Sequence, residues 1–212
     1  ISEPPPLREE SPPAETLSGR VRAFAAEVQA GLRATLIDPV LRGLAAVAML
    51  VALATSFAST TYMIYVSRDV AFSTGTLGLL FGLGGIGSLV GSWLTARMAT
   101  RIDARIWLIG SLALWALGSM AAPMATTAGL IGIVLIAAQQ LVGDAGGMAY
   151  IIASRTLRQT YATPDFLARV DASVRTLGYS ATLVGALVSG VLAERYGARA
   201  LLFASSAGIG IA

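Results

Sequence analysis

The chain has 212 residues, 55% of them hydrophobic and only 13% charged, with a formal net charge of +3 and a mean hydropathy of +0.72. A soluble domain carries about 45–50% apolar and about 25% charged residues, so this balance excludes an ordinary soluble fold and points to several membrane spans. Lysine, histidine and cysteine are all absent, which excludes a lysine-bearing phosphate loop, the usual zinc sites, Ser-His and Cys-His catalytic pairs, and disulfides.

In chain order, residues 1–16 hold five prolines and four glutamates and make a solvated linker. With no basic start and no apolar core, the stretch is not a signal peptide. Over 17–37, Val21, Phe24, Val28, Leu32 and Leu36 recur every three or four residues, giving a helix with one apolar stripe. Such a helix lies in the membrane interface or packs on a neighbour as a soluble helix does. From residue 40 the spans begin, predicted at about 43–66, 74–96, 106–122 (stopped by Pro123), 128–153, 173–193 and 200–212. The last is cut short, and with a first residue other than methionine the chain is expected to be a piece of something longer. The expected fold is an all-α six-helix transmembrane bundle. Arg97, Arg101 and Arg105 fall between the second and third spans, and Arg155, Arg158, Arg169 and Arg175 around the connection between the fourth and fifth. The alternate connections hold few arginines. That bias puts the linker and the arginine-rich loops in the cytoplasm.

These pieces spell a family pattern. VQAGLRATLIDPVLRGL before the first span and GSWLTARMATRIDARIWL between the second and third resemble the carboxyl-terminal half of a major facilitator superfamily transporter. Arg158-Gln159, Pro164, Arg169-Val170, and Tyr196-Gly197 with Arg199 are similar to the transmembrane secretion effector branch, which includes the enterobactin exporter. The likeness covers about 20–212. It implies half of a twelve-helix transporter of a bacterial inner membrane, whose partners are lipid, a small-molecule substrate and an amino-terminal six-helix half. Substrate would sit at the midplane between rocking bundles. It implies no enzyme activity, cofactor, metal or nucleic acid. The superfamily's loop signature finds Gly91 at its first glycine, Arg101 and Arg105 at its basic positions, Thr95 where an acid is common, and Asp103 where a second glycine is usual. With Arg97 these form the expected conformational loop.

The candidate pathway residues centre on Asp144. It stands in an apolar run behind Gln139 and Gln140, and a charged aspartate at mid-bilayer costs roughly 2.5–3.5 kcal/mol on insertion scales. On a helix Gln140, Asp144, Gly147 and Ile151 share a face. A carboxyl group shielded from water favours its neutral form, so Asp144 is a candidate proton carrier for an exporter of a small, largely apolar organic molecule; the alternative is a packing role. Gly143-Asp144 invites comparison with intramembrane aspartyl proteases, but the remaining acids fall at ends or in loops, so the second aspartate that chemistry needs is missing. In the first span Ser56, Thr60 and Tyr62 are substrate-contact candidates, since the superfamily's corresponding helix lines the cavity; their hydroxyls also bond neighbouring backbone. Tyr179 is a further candidate. Gly78, Gly82, Gly87 and Gly91 make two pairs of small residues for close packing in the second span. A six-span scaffold without transport, or a six-span half working as a dimer, are the competing expectations.

Overall fold

The computed structural model describes Gln29, residues 31–33 and residues 35–212. The linker and Val21, Phe24 and Val28 of the amphipathic stripe lie outside these residues. Residues 31–33 and 35–37 are helical, and the side they turn to the rest of the chain is small: Gly31 and Thr35 are buried, whereas Leu36 is exposed. A methyl group on Gly31 would stand 2.6 Å from Ser173 Oγ and 2.7 Å from the Arg169 carbonyl oxygen. The stripe's last leucine therefore faces outward, and the near contact is backbone to backbone.

The first long helix, α1, runs Pro39–Ile64. Asp38 caps it, accepting from the Val40 and Leu41 amides at 2.8 and 2.9 Å, with proline at the first helical position. It begins four residues before the predicted span. A π turn at Tyr65–Asp69 extends it. The chain then reverses through Ala71, whose φ of 62° is rare for a residue with a side chain. Ser73 caps α2, Thr74–Met98, and Asp103 caps α3, Ala104–Met124. Pro123 does not stop α3; it sits in the last turn, and its carbonyl accepts from Arg199 Nε at 2.8 Å and from the Tyr65 hydroxyl at 3.2 Å.

The next rod is composite. Helix α4, Leu130–Ala138, passes through a π turn at Gln139–Gly143 into α5, Asp144–Tyr161. Together they make 32 residues, about 48 Å at 1.5 Å per residue, against about 30 Å of hydrocarbon. The final helix, α6, covers Pro164–Ile211 and breaks at Gly197, where φ is 80° and ψ 158°. Only glycine adopts that conformation cheaply. The predicted loop around 154–172 is thus a correction: just Ala162 and Thr163 separate α5 from α6, and the arginines there decorate helix ends.

The two arms of α6 fold back on each other. A methyl group on Gly185 would meet the side chain of Ser56 and lie 3.1 Å from the Leu53 carbonyl, while one on Gly208 would lie 2.8 Å from Ala54 Cβ. Twelve residues before the break and eleven after it, the arms touch the same turn of α1, which requires them to run antiparallel. Span four behaves likewise toward spans two and three. A methyl group on Gly87 of α2 would lie 2.7 Å from the Leu141 carbonyl, and one on Gly118 of α3 would lie 2.7 Å from Gly143 Cα. Gly210 brings the second arm of α6 to Ala116 of α3.

Two apolar clusters hold the bundle. One joins Leu44, Leu112, Leu157 and Val174 towards the arginine-rich end, and the other joins Tyr65, Phe72, Leu80 and Ile136 towards the opposite end. Outside them, Leu79, Leu89, Ile109, Leu117 and Leu187 are more than two-thirds exposed. So much apolar surface is unsustainable in water and ordinary in lipid. Five helical stretches are long and apolar enough to cross a membrane, and the chain is all-helical across its described residues. The arrangement is that of an integral membrane protein.

Candidate functional site

A chamber of about 390 Å³ opens between α1, α3, the π turn before α5, and the second arm of α6. Its polar groups are Thr55, Ser59 and Tyr62, Ser119, Gln139 and Gln140, and Ser205 with Ser206. Its apolar wall includes Met63, Trp115, Leu202 and Ile209. Mixed walls of this kind, a few oriented polar groups on a greasy lining, are what small-molecule sites present.

The π turn sets the geometry. An i→i+5 turn admits one surplus residue, and here two neighbouring amides both reach inward. The Tyr62 hydroxyl donates to Gln139 Oε1 at 2.8 Å, joining α1 to the turn across the chamber wall. Gln140 is buried and its Nε2 donates to the Leu80 carbonyl of α2 at 3.4 Å. In an apolar setting an amide left alone is costly, so these contacts fix where the turn sits.

Asp144 opens α5 directly behind the turn and is half-buried. Its carboxylate lies against Gly84 of α2, in the space a side chain there would fill, and Gln140 Nε2 would be 3.1 Å from the same position. The shared face of Gln140 and Asp144 is as the spacing predicts. Of the other two residues expected on it, Gly147 faces the Trp115 ring, 3.1 Å from a methyl group placed on it, and Ile151, about 20° round the helix from Asp144, is exposed. A step of three residues leaves Gly147 about 60° round the helix, and α3 occupies that side. Asp144 therefore borders the chamber through Gln140 but looks at α2. The ion pairs among the described residues join Asp171 to Arg158 and Arg175 and leave Asp144 out.

Other candidates fall elsewhere. Ser56 is buried, donates to the Leu53 carbonyl at 2.6 Å and packs on Gly185, so it serves the joint between α1 and α6. Thr60 donates to the Ser56 carbonyl at 2.8 Å and is exposed away from the chamber. Tyr179 is 71% exposed and lines a separate cavity with Arg155 and Arg175. Of the loop set, Gly91 packs on the Ala145 backbone, and Asp103 caps α3 by accepting from the Arg105 amide at 2.8 Å. Arg97 stacks over Trp93 at 5.1 Å, Arg105 donates to the Tyr161 hydroxyl, and Arg101 is exposed. Thr95, at the acid position, accepts from Trp107 Nε1 at 3.2 Å and ties α2 to α3.

Sequence reasoning missed Ser119, Ser205, Ser206 and Trp115. The pair Ser205-Ser206 in an otherwise apolar final segment was the available signal. The glycine stripe also differs from expectation: Gly84, Gly87 and Gly91 are buried against the fourth span, while Gly78 and Gly82 are exposed with nothing within 4 Å. No family model, curated protein or solved structure matches this chain.

Proposed function

We propose that this chain is a six-helix half of a secondary transporter of the major facilitator kind, working with a second such half to export a small organic molecule. The observation that carries the reading is crossed packing around a polar chamber. Counting the arms of α6 separately, span one packs on spans five and six, and span four packs on spans two and three. Spans three and six meet each other. Exchanging spans one to three with four to six leaves that pattern unchanged, which is the behaviour of two inverted three-helix repeats. A scaffold needs no such symmetry and no chamber.

In this reading the arginine-rich end lies in the cytoplasm of a bacterial inner membrane. Gln139, Gln140, Tyr62 and the four chamber serines hold the substrate, and Asp144 carries the coupling proton. An acid bordering but not lining the chamber suits that division, since the proton and the substrate then occupy adjacent rather than identical places. The Arg97–Arg105 turn meets the other half as the cytoplasmic side closes.

The test is transport by the complete protein in proteoliposomes under an imposed pH gradient. D144N is expected to abolish gradient-driven accumulation while downhill exchange of substrate persists. Full gradient-driven transport by D144N removes Asp144 from coupling. Residues 1–212 hold no cysteine, so single cysteines at Ser59 and Ser119 can be labelled from either side. Both positions refusing label in every condition would return the protein to a packed scaffold.

A further inference from the structure

The cavity that holds Tyr179 is distinct from the chamber and has a different chemistry. It measures about 460 Å³ and lies between α1, α3, α5 and the first arm of α6. Trp115 lines both spaces, and with Tyr150, 5.7 Å away between ring centroids, it floors this one. Val51, Ala52 and Ile151 continue the apolar wall. At the rim stand Arg155, Arg158 and Arg175.

Their charges are only partly matched. Arg158 Nε donates to Asp171 Oδ1 at 3.1 Å, and Arg175 Nε lies 3.5 Å from Asp171 Oδ2. Three cations against one anion leave a local charge of +2. Arg158 is the settled partner, with 11% of its side chain exposed, whereas Arg175 is 56% exposed and Arg155 is also exposed. Two guanidinium groups thus stand at the mouth of an apolar pocket with donors to spare. The mouth is at the arginine-rich end, where the rods outrun the hydrocarbon and headgroups lie. Basic pockets between spanning helices at that depth hold acidic headgroups.

We propose that this cavity binds an amphipathic anion, its acidic head on Arg155 and Arg175 and its apolar tail running inward to Trp115 and Tyr150. The site stands without the transport reading; only a role as an antechamber to the inner chamber would rest on it. A neutral or cationic amphiphile of the same length fits the walls but gains nothing at the rim.

The experiment uses the full chain in nanodiscs of zwitterionic lipid, with W93F and W107F leaving Trp115 as the single tryptophan. The probes are a long-chain carboxylate brominated near its tail and the methyl ester of the same acid, because bromine quenches indole on contact. The acid should half-quench Trp115 at least tenfold below the ester, and R155Q and R175Q should each weaken the acid by roughly fivefold while leaving the ester unchanged. Equal half-quenching by acid and ester, or indifference to both substitutions, overturns the proposal. Brominated phosphatidylglycerol in the disc separates the sources. If it quenches with the same arginine dependence, the occupant is a bilayer lipid; if only the soluble acid does, the occupant is a single-chain solute. Should the W93F–W107F variant not fold, calorimetric titration of the unsubstituted chain and of R155Q–R175Q with decanoate makes the same comparison. Because the readout is binding, loss of arginine dependence leaves the transport reading standing, and a protein inactive in transport can still pass.

Discussion

Replacing Gly87 with alanine tests how closely α2 and the π turn are pressed together. The new methyl carbon would stand 2.5 Å from the Gln140 carbonyl oxygen, 2.7 Å from the Leu141 carbonyl oxygen and 3.0 Å from Leu141 Cα, whereas ordinary contact begins at 3.4 Å. The shortfall against the nearest oxygen is 0.9 Å, and the opposing atoms are backbone, which cannot swing aside. Either α2 retreats by that distance or the turn deforms. Overpacking of this size costs about 1–3 kcal/mol. The matched control is Gly82→Ala on the same helix, where nothing lies within 4 Å and the change should stay within about 0.5 kcal/mol apart from a small gain in helix propensity. Reversible unfolding in mixed micelles, followed by far-ultraviolet circular dichroism, measures both. G87A unfolding at the same denaturant fraction as G82A would refute the close approach and, with it, the placement of Gln140 and Asp144 on α2.

Tyr62→Phe removes the donor to Gln139 Oε1 and is expected to cost about 0.6–1.7 kcal/mol in the same assay, with substrate affinity falling alongside; an unchanged affinity would take Tyr62 out of the chamber. Ser56→Ala should leave transport intact and change stability by less than about 1 kcal/mol, because its hydroxyl serves its own helix. Gly185→Ala, which drives a methyl group into that serine, should destabilise by about 1–3 kcal/mol. Arg199→Gln withdraws the donor from the Pro123 carbonyl, and faster proteolysis at the 125–129 connection is the expected readout.

Much of this architecture is written in local chemistry. The capping residues Asp38, Ser73 and Asp103 stand where helices begin, and runs of apolar side chains give the first three spans to within four residues. The connection at 154–172 misleads because charged residues there suggest a loop, yet Arg155, Arg158 and Asp171 project from the ends of two helices, and Arg158 pairs with Asp171 between them. The glycines of α2 show a deeper limit. Gly78 and Gly82 are spaced as well for close packing as Gly87 and Gly91, and only the direction from which the fourth span arrives distinguishes them. That direction is set by contacts between residues some sixty apart, such as Gln140 with Leu80, and no short window contains them. The pairing of Gln140 with Asp144 was legible because it is intrahelical. The place of Ser205 and Ser206 in the chamber depends on the reversal at Gly197, which no apolar run announces.

The π turn has an arithmetic consequence. In a regular α-helix, Gln139 and Asp144 would be about 140° apart around the axis; wound with one surplus residue they come within about 50°. Deleting Leu141 would let the rod close into uninterrupted α-helix, with both its ends still aimed as before. The membrane-embedded scaffold would survive almost untouched, and the amide that greets Tyr62 and the acid beside Gly84, now four residues apart, would still lie within about 40° of each other. The π turn is in that sense a spacer: it gives residues five apart the alignment that an α-helix reserves for residues four apart.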